Sequence, residues 1–160
     1  MRFISSTNDI RQYLGLKPKK NIKFTNISID TRTIKKDSLF IALKGENFNG
    51  NKFIPKAFSS GAVAVLCSDK SYKNKNNIIY VPSVRNALSK ISSEIASNFK
   101  GKKIQITGSN GKTTMKELLF HVFHKSFSTY ATSGNLNNHI GVPLTLLNIK
   151  NHHDIAIVEM

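Results

Sequence analysis

Residues 103–125 hold the most restrictive pattern in the chain. Lys103-Ile-Gln-Ile-Thr107 reads as a short strand, Gly108-Ser-Asn-Gly-Lys-Thr-Thr114 follows at once, and a helical stretch runs from about Lys112 to Lys125. Gly108 and Gly111 let the backbone approach an oxyanion without side-chain interference. Successive N–H groups, those of Ser109 and Asn110 among them, would point inward, and the helix start adds its positive dipole end. Lys112 can neutralise β- and γ-phosphate charge, Thr113 sets a hydroxyl where a phosphate-bound Mg²⁺ would sit, and Thr114 offers further hydrogen bonds. The common loop G-x-x-x-x-G-K-[ST] wants Gly at position 106, where this chain has Ile106, so the match is to a shorter T-G-x-x-G-K-T variant. The expected ligand is a nucleotide phosphate. The plain alternative is a glycine-rich turn that caps a helix.

The rest of the chain frames this loop. Thr7–Leu14 reads as a short helix stopped by Gly15, and residues 23–29 and 38–43 as strands. Residues 53–60 read as a helix ended by Gly61, and 62–66 and 78–81 as buried strands around a polar loop at 70–77. Leu88, Ile91, Ile95 and Phe99 recur at helical spacing over residues 84–99. After the loop come a strand at 128–131, a helix at 141–147 that tolerates Pro143 in its first turn, and a strand at 155–159. Strand, loop, helix and strand in this order imply a parallel sheet with crossover helices. The fold class is therefore α/β: a small mixed N-terminal α/β domain over residues 1–82, then the start of a P-loop-type parallel-sheet ATPase domain over 83–160.

Charge and composition narrow the classes. The net charge of +15 would suit a nucleic-acid binder, but the lysines lie in small clusters beside expected turns, with no arginine-rich strip or aromatic RNA-binding motif. It reads as solvated loop surface, with nucleic acid as the disfavoured partner. No apolar run reaches the ~18–20 residues of a membrane span, no secretory leader is visible, and the expected location is the cytoplasm. The one cysteine, Cys67, sits in the apolar run 61–67 and reads as core.

Two further polar features stand near the loop in the expected topology. Glu159 ends the last strand, at the edge where open α/β sheets place their ligands, and could hold Mg²⁺; a charged residue leaving a strand is an equal reading. Asn135-Leu-Asn-Asn-His139 precedes a helix. Its amides make Asn135, Asn137 and Asn138 candidate substrate contacts, although turn and cap chemistry is the better reading of the residues alone. His121 and His124 read as helix surface.

Together these segments resemble the Mur ligase family, the ATP-dependent amide-forming enzymes of peptidoglycan synthesis. Residues 104–114 look like its ATP loop, and 29–45, 49–57 and 61–65 resemble the N-terminal domain of its two later members. Thr132-Ser-Gly-Asn-Leu-Asn-Asn-His-Ile-Gly-Val-Pro-Leu-Thr-Leu-Leu147 is similar to the member that joins D-alanyl-D-alanine to UDP-N-acetylmuramoyl-tripeptide. The resemblance implies ATP and Mg²⁺ as cofactors, with Thr113 and Glu159 on the metal and Lys112 and Glu159 as the catalytic pair. It places Asp30, Thr31 and Arg32 near the UDP-sugar. It also implies an acyl phosphate formed from the tripeptide carboxylate and opened by the dipeptide amine, in a monomeric enzyme. Family members continue well past residue 160, so the chain is expected to be a truncated portion without ligase activity alone. An unrelated P-loop ATPase and a non-catalytic UDP-sugar or nucleotide-binding fragment are the alternatives.

Overall fold

The computed structural model describes residues 4–45, 48–134 and 136–160. They form two compact units that divide between Lys90 and Ile91.

The first unit opens with α1 (Thr7–Leu14). The Ser6 side chain accepts the Asp9 N–H at its start, and Gly15 at φ 71° closes it. Four strands follow: β1 (Asn26–Ser28), β2 (Ser38–Ile41), β3 (Ala62–Cys67) and β4 (Ile78–Tyr80). They pair in the order β1-β2-β3-β4, parallel throughout. Only the β2–β3 connection carries an α-helix, α2 (Ile54–Ser59), entered through a 3-10 turn at Gly50–Phe53. The strand expected over 23–29 contracts to Asn26–Ser28. The Phe24 N–H bonds Ser5 O at 2.9 Å and the Thr25 N–H bonds Asp37 O at 2.8 Å, which commits those amides outside the ladder. The polar loop at 70–77 contains a 3-10 turn, Lys70–Tyr72, capped by Asp69. Phe40, Ile54, Ala57, Val65, Cys67 and Ile78 form the core. Cys67 is fully buried, and burial pushes its thiol pKa up, as befits an inert core cysteine.

Helix α3 (Val84–Asn98) carries the division between the units, and its expected stripe of Leu88, Ile91 and Ile95 is buried. The second unit continues with β5 (Lys102–Ile106), α4 (Lys112–Phe123), β6 (Thr129–Ala131), α5 (Gly141–Leu147) and β7 (Ile155–Glu159). Its sheet is parallel with order β5-β7-β6. All five residues of β7 are buried, which explains the near-continuous apolar run Ile-Ala-Ile-Val: a central parallel strand is covered on both faces. Ile155 and Ile157 pack with Ile106, Leu119, Phe120 and Phe123, while Ala156 packs with Phe99, Ile149 and Tyr130. Side chains alternate along a strand, so Glu159, two residues past Ile157, belongs to the α4 face.

Helix α4 stops at Phe123, two residues short of the expected end. The N–H groups of Ser126 and Phe127 both turn back onto Phe123 O, at 3.1 and 2.9 Å, and end the helical ladder. Its outer face leaves Met115, Leu118 and Val122 exposed. Helix α5 begins at Gly141, where a Cβ would lie 2.4 Å from the Leu136 backbone. This close approach ties the Leu136 backbone to the start of α5. Gly141→Ala is therefore expected to lower the stability of this unit by roughly 1–3 kcal/mol, the usual cost of forced overpacking. Urea unfolding checks it, and an unchanged midpoint would contradict the close packing.

Candidate functional site

The loop leaves β5 after Ile106 and enters α4 at Lys112. Gly108 has φ 146° and Gly111, the residue that caps α4, has φ 75°. A Cβ on Gly111 would meet nothing within 4 Å, so glycine is required there by backbone conformation and not by space. No side chain caps the helix start, and the first N–H that closes onto the cap is that of Met115, to Gly111 O at 2.9 Å. The amides ahead of it are the ordinary orphan donors of a helix N-terminus, on an exposed loop. The Lys112 ammonium folds over this loop and donates to Gly108 O. Ser109, Asn110 and Thr114 are exposed on the same turn.

The ladder of β5 with β7 sets Ile106 opposite Glu159, so the carboxylate emerges beside the point where the loop departs. Thr113 Oγ1 donates to Glu159, 3.1 Å from Oε1 and 3.3 Å from Oε2. Asn137 Nδ2 donates to Oε1 at 3.0 Å. Lys116 Nζ lies 3.6 Å from Oε2, with side-chain exposures of 2% for the lysine and 1% for the glutamate. Lys116 Nζ is also 3.2 Å from Glu117 Oε1 and 3.5 Å from Gly134 O. The Glu159 N–H bonds Thr132 Oγ1 at 2.9 Å, which ties the segment after β6 to the strand end. Burial pushes the Glu159 pKa up, but hydrogen bonds from Asn137 and Thr113 and the charge of Lys116 outweigh it and hold the carboxyl below its ordinary value.

Sequence reasoning missed Lys116. Its signal was a position on the inner face of α4: Thr113, Lys116, Phe120 and Phe123 follow helical spacing, and the lysine occupies a slot that the pattern would give to an apolar residue. Asn137, a candidate substrate contact in the sequence, donates to Glu159. Asn138 acts as a turn cap, its Oδ1 accepting from the N–H groups of Ile140 and Gly141 at 3.0 and 2.8 Å. Asn135 lies outside the described residues. His121 and His124 are exposed on α4, as expected.

Asp30, Thr31 and Arg32 belong to the first unit, where they line a cavity of about 540 Å³ with Ile29, Phe40, Phe48 and Phe53. The rings of Phe48 and Phe53 stack with centroids 5.4 Å apart. Arg32 Nη2 sits 2.6 Å from Asp30 Oδ2, and its side-chain and backbone hydrogen bonds hold the Asp30 carboxyl at about 2.

Among the described residues no three His, Cys, Asp or Glu side chains gather into a metal-holding group. The Thr113 hydroxyl and the Glu159 carboxylate form a pair of hard oxygen donors at the mouth of the glycine loop, which fits the sparse protein contribution that Mg²⁺ accepts beside phosphates.

A parallel sheet, a glycine loop at a strand end and a carboxylate on the neighbouring strand define a P-loop-type α/β protein. Residues 23–97 match the profile described as "Mur ligase family, catalytic domain", and residues 106–160 that of the "Mur ligase middle domain". The chain belongs to the Mur ligase family. It is 40% identical over 161 residues to the UDP-N-acetylmuramoyl-tripeptide–D-alanyl-D-alanine ligase of Buchnera aphidicola subsp. Baizongia pistaciae, covering all of this chain and 35% of that one. It is 39% identical over 137 residues to the enzyme of the same name from Bacillus subtilis, covering 84% and 30%. The crystal structure of MurF from Acinetobacter baumannii superposes with a TM-score of 0.80 at 29% identity, over 98% of this chain and 35% of that one. MurF from Thermotoga maritima in complex with ADP gives 0.69 at 34% identity, over 84% and 31%. The chain thus spans about a third of the length of the curated relatives it matches.

The depressed Glu159 pKa has a sign. The folded state binds this proton more weakly than the unfolded chain does, so the contribution is fully present above the ordinary glutamate value of 4.5 and is lost as pH falls below it. Urea midpoints measured from neutral to acidic pH should therefore fall, and Glu159→Gln should flatten that acid limb. An equally steep limb in the variant would contradict the assignment.

Proposed function

We propose that this chain supplies the phosphate-binding and first substrate-binding parts of an ATP-dependent ligase that joins D-alanyl-D-alanine to UDP-N-acetylmuramoyl-tripeptide. The observation that carries the reading is the meeting of Thr113 and Glu159 at the end of an uncapped glycine loop. The relatives' names specify the two substrates, and the ADP complex of a structural relative supports ATP as the nucleotide.

Amide formation from a carboxylate and an amine needs an activated carboxylate. In this reading the tripeptide carboxylate takes the γ-phosphoryl group of ATP, ADP leaves, and the dipeptide amine then displaces phosphate from the acyl phosphate. Both partners of the first step are anions, so positioning and charge neutralisation dominate. The loop amides from Gly108 to Thr114 would cradle the phosphates, and Lys112 would exchange Gly108 O for β- and γ-phosphate oxygens. Thr113 and Glu159 would hold Mg²⁺, which when bound offsets charge on the transferred group. Asn137 and Thr132 would keep the Glu159 carboxylate aimed at the loop.

In the first unit, the cavity of Asp30, Thr31 and Arg32 is the proposed site for the UDP-sugar end. Stacked phenylalanines offer a flat apolar wall for a base, and the Asp30–Arg32 pair offers both donors and acceptors. The proposed domains are 1–82 and 83–160, while the compact units divide within α3 between Lys90 and Ile91. The cytoplasm is the proposed location.

Lys112→Ala should leave the fold intact, because among the described residues the side chain bonds only its own loop. It should weaken Mg²⁺-ATP binding by about tenfold to a hundredfold, the equivalent of a charged hydrogen bond worth ~1.5–3 kcal/mol. Titration calorimetry on the folded variant checks this, and unchanged affinity would sink the role of Lys112.

A further inference from the structure

Lys116 is a fully buried cation that the nucleotide chemistry leaves without a task. Its side chain is 2% exposed, on the inner face of α4, one turn past Thr113. A lysine is rarely buried so fully unless it is paired. Its partners are Glu159 Oε2 at 3.6 Å, Glu117 Oε1 at 3.2 Å and the Gly134 carbonyl at 3.5 Å. Of the two carboxylates, Glu117 is 64% exposed and Glu159 only 1%. The lasting interaction is thus with the carboxylate proposed to hold the metal.

We propose that Lys116 is a positioning residue and an internal counter-ion, which keeps Glu159 from taking a divalent cation until a nucleotide brings its own negative charge. The inference rests on the reading of Glu159 as a metal ligand. Glu159 Oε1 is engaged by Thr113 and Asn137, and Oε2 faces the ammonium. The buried pair is neutral as it stands. A divalent cation added at Glu159 alone would sit a few ångströms from a fixed, buried ammonium, where like charges repel more strongly than in bulk water. Lys112 on the adjoining loop adds a second positive charge. Triphosphate oxygens reverse this balance, because they ligate the metal and neutralise both lysines together. Glu159 is then held pre-aimed by Lys116 and loaded only as part of a metal–nucleotide complex.

Mn²⁺ titration followed by electron paramagnetic resonance, on the 160-residue chain, tests this with and without a non-hydrolysable ATP analogue. Without nucleotide, the unsubstituted chain and Glu159→Gln should bind Mn²⁺ equally weakly. Lys116→Met should bind it about tenfold more tightly, a gain of the size that removing one close charge can give, and Lys116→Arg should behave as the unsubstituted chain. Nucleotide-free Mn²⁺ binding in the unsubstituted chain that Glu159→Gln abolishes would overturn the proposal. This comparison decides even if Lys116→Met fails to fold. A folded Lys116→Met with unchanged nucleotide-free affinity would overturn it as well. With the analogue present, equal Mn²⁺ retention by the unsubstituted chain and Glu159→Gln would instead remove Glu159 as a metal ligand, and the proposal with it.

Discussion

The five-residue parallel ladder between β5 and β7 fixes where everything else can stand. It pairs Ile106 with Glu159, so the buried last residue of β5 lies beside the carboxylate that the loop's helix must meet. The ladder needs β7 in the middle of the sheet, and β7 can stay there only because Ile155, Ala156, Ile157 and Val158 tolerate burial on both faces. Burying an isoleucine or valine side chain stabilises by about 1.5–3 kcal/mol, and that packing is what holds an ionised glutamate out of water at the strand's end.

A buried charge must be answered by its surroundings, and three side chains from two elements answer here. Helix α4 gives the Thr113 hydroxyl and the Lys116 ammonium, and the segment before α5 gives the Asn137 amide. Breaking such a pair by removing one member commonly costs about 3–5 kcal/mol, although a well-packed apolar pair could replace both members at little loss. Stability alone does not favour two ions over two leucines at positions 116 and 159. Their retention suits a site that handles charge.

Much of the fold was legible. The bounds of α1, α5 and β7 follow from Gly15, Gly141 and the apolar run 155–158, and the structure keeps them. The parallel character of the first sheet was not legible, because two of its three connections lack a helix and local pattern records no strand direction. The turn between β5 and α4 could be read from Gly108 and Gly111, since glycine answers to the positive φ that the backbone adopts there. Lys116 and Asn137 could not, because their partner lies 43 and 22 residues away in sequence and only the folded sheet brings it near. Asn138 behaved as local turn chemistry predicts, its side chain bonding amides two and three residues on.

The alternation of side chains along β7 carries a consequence for how this chain can vary. Substitutions at Ile155 or Ile157 change packing by degrees. A single-residue insertion or deletion between them and Glu159 acts differently: it turns the carboxylate to the α5 face, away from Thr113 and Lys116, with the composition of the strand almost unchanged. Length in this short stretch is therefore an all-or-none property, while the identity of its apolar residues is a graded one.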